Sequence, residues 1–118
     1  MLKSVPELVA AARKQLRCVD AATAVQEIRE NQGTVLDVRE PAEAQAQPTS
    51  RSQNIPRGVL EMKITELNSD PEHPLYIHCA TGGRATFAAE QLERMGYSRV
   101  TVITCPIDTV REQLASLA

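Results

Sequence analysis

The segment that most constrains this chain is Leu75-Tyr76-Ile77-His78, a short unbroken strand running directly into Cys79-Ala80-Thr81-Gly82-Gly83-Arg84 and then a helix. A continuous strand of this kind belongs inside a parallel sheet, covered on both faces. In open α/β sheets ligands sit beyond the carboxyl ends of strands, which is where this order puts Cys79. Gly82 and Gly83 let the backbone curl, because neither carries a Cβ that clashes at positive φ. A curled loop at a helix start aims N–H groups at one point, which binds anions and stabilises a thiolate. Arg84 adds a fixed positive charge. A cysteine ending a buried strand is by itself most often a small apolar core residue; the glycine loop and helix behind Cys79 are what point to a reactive thiol.

The flanking segments supply a scaffold for such a loop. Ser4-Val5-Pro6-Glu7 has the pattern of a capping box with proline in the first turn. Val5, Leu8, Val9, Ala12 and Leu16 then share one helical face. This predicts an N-terminal helix within residues 1–17, set apart from a globular domain over 18–118. Asp20 caps a second helix with apolar positions Ala21, Ala24, Val25 and Ile28, for which Gly33 is the expected stop. Thr34 to Val38 is a β-branched strand. Pro41 to Asn54, rich in Ala, Gln, Ser and Pro, reads as a short helical turn and an exposed loop. Arg57 to Leu67 has mixed helical spacing. Ala85, Ala88, Ala89 and Leu92 line a helix ended by Gly96. Val100 to Ile103 is another strand, and Ile107, Val110, Leu114 and Leu117 form a closing helix behind Pro106. Strands alternating with helices predict an α/β domain with a mainly parallel sheet.

Composition removes several classes of function. A net charge of −2 argues against general nucleic-acid binding, which needs a basic face. No run approaches the roughly 20 apolar residues of a membrane span, and the start lacks the apolar centre of a secretory signal. Cys18, Cys79 and Cys105 are widely spaced, and only two histidines accompany them. That set suits a reducing cytoplasm and offers neither a disulfide framework nor a structural zinc site. No metal and no organic cofactor is expected.

The segment Cys79-x-x-Gly82-x-Arg84-Ala85 resembles the active-site loop of single-domain rhodanese-like sulfurtransferases. Thr34-Val35-Leu36-Asp37-Val38-Arg39-Glu40-Pro41 resembles that family's first strong motif, and Asn54-Ile55-Pro56-Arg57-Gly58-Val59 the link after it. With Met95-Gly96-Tyr97, the resemblance spans roughly Val19 to Leu117. It implies a three-layer α/β domain with a central, mainly parallel five-stranded sheet flanked by helices. It also implies sulfane-sulfur transfer through a Cys79 persulfide, from a donor such as thiosulfate to cyanide, a thiol or a protein cysteine. Ala80, Thr81, Gly82, Gly83 and Arg84 would bind the charged sulfur and the donor. A non-catalytic interaction or regulatory module is the alternative. His78-Cys79 followed by Arg84 is also similar to the signature of cysteine phosphatases, but those need one residue more between Cys and Arg to enclose a phosphate.

The chain departs from the family pattern at Gln53-Asn54-Ile55-Pro56-Arg57-Gly58, which lacks the usual His and flanking glycines. Thr104-Cys105-Pro106-Ile107-Asp108-Thr109 replaces a Gly-Gly-aromatic segment, and Ala80 stands where many relatives have Arg. Cys105 is a candidate to resolve the Cys79 persulfide. Asp37, Arg39 and Glu40 are expected to form structural ion pairs, His78 to pack in its strand, and His73 and Arg57 to be solvated. Cys18 is expected between the first two helices and Asp108 at a helix start.

Overall fold

The computed structural model describes residues 1–117. The elements run α1 (Val5–Arg13), β1 (Arg17–Val19), α2 (Ala21–Asn31), β2 (Thr34–Asp37), α3 (Pro41–Ala46) and β3 (Ser52–Asn54). After a 3-10 turn at Arg57–Val59 come α4 (Leu60–Leu67), β4 (Leu75–His78), α5 (Gly83–Met95), β5 (Val100–Ile103) and α6 (Ile107–Ala115). Five strands form one sheet in the order β1-β5-β4-β2-β3, with every pairing parallel. β4 lies at the centre, so Leu75, Tyr76, Ile77 and His78 are all buried.

Strand alternation divides the core into two layers. Val35, Tyr76 and Ile103 face α2 and α6, packing with Ala21, Ala24, Val25, Ile28, Val110 and Leu114. Leu36, Leu75, Ile77, Val100 and Val102 face the other way, against Leu60 and Ile64 of α4 and Ala85, Ala88, Ala89 and Leu92 of α5. Cys79 continues the second series, so its side chain enters the layer beneath α5. The small residues of α5 bring that helix close to the sheet. A fully buried Leu or Ile here contributes on the order of 1.5–3 kcal/mol.

Several local features differ from the sequence reading. The N-terminal helix stops at Arg13, and Arg17, expected to close it, instead opens β1 by pairing with Thr101. The helix itself packs on α5, and Ser4 and Glu7 form the expected capping box. Gln32, with φ of 60°, ends α2 in place of Gly33. Gly33 is needed for space, since a Cβ there would lie 2.7 Å from the Tyr76 ring. β3 lies in the stretch expected to be loop, with Ser52, Gln53 and Asn54 beside Val35, Leu36 and Asp37. His73 is half-buried and bonded to Thr34 Oγ1 at 2.8 Å. Cys18 sits in β1, partly buried against the α5-side layer.

One buried ion pair holds the β2–α3 junction. Arg39 is 1% exposed, and its Nε and Nη2 donate to the two Asp37 carboxylate oxygens at 2.9 and 2.8 Å. The same guanidinium donates to the carbonyls of Glu43 and Gln47, tying down the end of α3. Asn54 Nδ2 donates to the Asp37 and Arg39 carbonyls, adding β3 to the junction. Removing one member of a buried pair strands the other charge, at about 3–5 kcal/mol. Arg39→Met is therefore expected to lose about that much unfolding free energy in urea titrations, with Arg39→Lys losing less; a loss below about 1 kcal/mol would contradict this account.

Candidate active site

Cys79 lies where β4 ends and the chain turns into α5. Its Sγ accepts the Gly82 N–H at 3.0 Å and the Ala85 N–H at 3.4 Å. Both contacts follow from the local sequence. Gly82 has φ of 102°, a conformation that costs an L-residue energy and that glycine adopts freely; it is the N-cap of α5. Gly83, Arg84 and Ala85 open the helix, and first-turn N–H groups have no partner four residues back. The Ala85 N–H, left free in this way, reaches the sulfur at the positive end of a 13-residue helix dipole. Thr86 fastens the turn by donating its hydroxyl to the Gly82 carbonyl at 2.7 Å. The Ala80 carbonyl accepts the Ile107 N–H at 2.9 Å, so α6 braces the loop's other end.

The five expected binding residues thus hold different positions around the thiol. Gly82 and Gly83 shape the turn, Ala80 is half-buried, and Thr81 is exposed at the rim. Arg84 is occupied by Glu43, which accepts from its Nη1 and Nη2 at 2.6 and 2.9 Å. That pairing and the Glu40 N–H hold the Glu43 carboxyl down at about 2. Ala85, absent from the expected set, contributes one of the two N–H donors; its place in the helix's first turn was the signal. Glu43 carried none, because its partner is 41 residues away in sequence.

His78 is unsuited to act as a base on Cys79. Strand alternation turns it toward the opposite face of the sheet, where its Nε2 bonds Ser52 Oγ at 2.9 Å and its Nδ1 makes no hydrogen bond, standing 3.9 Å from Asp37 Oδ1. Burial pushes its pKa down to about 4, with Asp37 opposing the shift and Arg39 adding to it. Cys105 sits in the α2/α6 layer, across the sheet from Cys79, and its Sγ accepts the Ala21 N–H at 3.2 Å. Arg57 pairs with Glu61 at 2.8 Å, and Asp108 lies in the first turn of α6. A cleft of about 610 Å³ is lined by Arg17, Glu27, Tyr76 and Arg99 among others and shares no residue with the Cys79 loop. Among the described residues no group of His, Cys, Asp and Glu has metal-binding geometry, and no helix is long and apolar enough to cross a membrane.

Comparison with known proteins places the chain in a family. The family model described as Rhodanese-like domain matches residues 20–108. YrkF of Bacillus subtilis, described as a candidate sulfur carrier protein, is 35% identical over 66 residues, covering 56% of this chain and 35% of its own length. The chain thus spans about a third of that relative. The polysulfide-sulfur transferase homodimer of Wolinella succinogenes superposes with a TM-score of 0.77 at 27% identity, over 91% of this chain and 81% of that one. A Rhodopseudomonas palustris protein of unknown function, described as a possible tyrosine phosphatase, gives a TM-score of 0.82 over 95% of this chain and 92% of that one. At 20% identity that likeness concerns the fold alone.

The buried histidine sets a pH dependence. Its folded pKa of about 4 lies below the usual 6.5, so as pH falls through 6.5 the unfolded chain takes up a proton that the folded chain refuses. Stability is complete above about 6.5 and declines until about pH 4, by roughly 3 kcal/mol. Glu43, held low, contributes only below its ordinary value of 4.5, outside most of that window. Urea unfolding between pH 7 and 4.5 should therefore show a decline that His78→Gln largely removes; an equal slope in the variant would refute the assignment.

Proposed function

The chain belongs to the rhodanese-like domain family, and we propose that it is a sulfurtransferase in which Cys79 carries a sulfane sulfur as a persulfide. The observation behind this reading is the pair of N–H donors from Gly82 and Ala85 converging on a thiol inside a four-residue turn closed by Arg84. Such donors, fixed in place at a helix start, favour negative charge on the sulfur both before and after it accepts another sulfur atom. The turn is too short for a phosphate and suited to one sulfur.

The chemistry balances as two displacements. The Cys79 thiolate attacks the outer sulfur of thiosulfate; the new S–S bond forms as the old one breaks, and sulfite leaves with the electron pair. A nucleophilic acceptor then attacks the outer sulfur of the persulfide, and the Cys79 thiolate departs. Cyanide leaves as thiocyanate, and a thiolate, free or on a protein, leaves as a persulfide. The acceptor's oxidation is matched by the donor's loss of its sulfane sulfur, so no external oxidant or reductant is required. Thiosulfate is the simplest donor to test. Because Glu43 occupies Arg84, a polysulfide or persulfide donor fits the loop equally well.

Incubation with thiosulfate, followed by mass mapping of the Cys79 peptide, tests the reading. We expect an added sulfur of about 32 Da on Cys79, removed by cyanide and absent in Cys79→Ser. Should thiosulfate and polysulfide both fail to leave sulfur on Cys79, the loop is a relic within an interaction module.

A further inference from the structure

α1 lies outside residues 20–108, which the family model matches, yet it reaches the sulfur loop. Arg13, in its last turn, donates from Nε to Thr86 Oγ1 at 3.1 Å. Thr86 in turn donates to the carbonyl of Gly82, whose N–H bonds the Cys79 sulfur. The guanidinium also covers Gly82 itself: a Cβ there would lie 2.5 Å from Arg13 Nη2. Val9, one turn earlier, would lie 3.8 Å from a Cβ on Gly83. Two covalent bonds of about 1.5 Å each join these contacts, so Arg13 Nη2 stands no more than about 8.5 Å from Cys79 Sγ.

The charge balance gives this contact a purpose. Arg84, the only cation in the Cys79–Arg84 segment, is neutralised by Glu43. Arg13 has no carboxylate within ion-pair distance among the described residues. Its charge therefore acts on the loop uncompensated. The separation is close to one screening length at physiological salt, about 8 Å, and the partly buried path weakens screening further.

We propose that Arg13 is a positioning and specificity-determining residue of the sulfur site, supplying the uncompensated positive charge that draws anionic donors to Cys79. This deepens the sulfurtransferase reading, on which its biological meaning rests. It makes α1 part of the active site, and it names the donors as anions: thiosulfate, polysulfide or an ionised persulfide.

Paired alkylation of Cys79 by iodoacetate and iodoacetamide, of similar size but different charge, tests the idea. In both reactions the thiolate displaces iodide, so neither depends on sulfur transfer. Arg13→Gln should lower the iodoacetate-to-iodoacetamide rate ratio at Cys79 by about threefold or more, with Arg13→Lys keeping a ratio above that of Gln. In the wild type, raising the salt to 1 M should lower the ratio as well. A merely structural Arg13 would change both rates together. A ratio unchanged in Arg13→Gln, no higher in Arg13→Lys than in Gln, or insensitive to salt in the wild type overturns the proposal. Absence of a persulfide from both thiosulfate and polysulfide, with the charge effect intact, would instead sink the sulfurtransferase reading and leave the role of Arg13 standing.

Discussion

The ion pair between Asp37 and Arg39 is the constraint from which the geometry around the sulfur follows. A guanidinium that is 1% exposed persists in a protein interior only when its charge and its N–H groups are matched. Asp37 supplies the charge, and the Glu43 and Gln47 carbonyls take further donors. Meeting those needs fixes where α3 ends, and hence where Glu43 stands. From there Glu43 reaches Arg84 with both carboxylate oxygens. A packing requirement beside β2 thus settles the electrostatics at the mouth of a loop that follows β4.

The parts legible in the sequence were those governed by neighbours close in the chain. The capping box of Ser4 and Glu7, the stop at Gly96 and the strand leading into Cys79 all depend on local conformation, and the structure has all three. β1 and β3 were not legible. Arg17-Cys18-Val19 and Ser52-Gln53-Asn54 are three-residue edge strands, defined by a neighbouring ladder and lacking a hydrophobic pattern of their own. The partners of Arg84 and Arg13 were hidden for the same reason, since Glu43 and Thr86 are distant in sequence. Gly33 illustrates a different confusion. A glycine after a helix suggests a left-handed cap, but here the missing Cβ makes room for Tyr76.

The two nucleophilic candidates, Cys79 and Cys105, each follow a strand of the sheet and are separated by it. One faces the α5 layer and the other the α2/α6 layer. Each sulfur accepts a backbone N–H at the start of a helix. At Cys105 a single N–H, that of Ala21 opening α2, reaches a sulfur from a distant segment. At Cys79 the helix begins around the sulfur, because Gly82 turns the chain back over it. The difference in chemical promise comes from backbone shape more than from residue type.

The strand order also bears on how the molecule is made. Arg17 pairs with Thr101 across the sheet edge, so β1 has no place to dock until β5 has been synthesised. Pairing between residues so far apart in sequence is slow to form, because a long loop must close first. α1 is joined to β1 by only three residues. Its lasting seat against α5 therefore waits on a strand that is synthesised after α5 itself. A nascent chain can build much of the central sheet and still lack Arg13 over Gly82, so the loop acquires its outer charge late in folding.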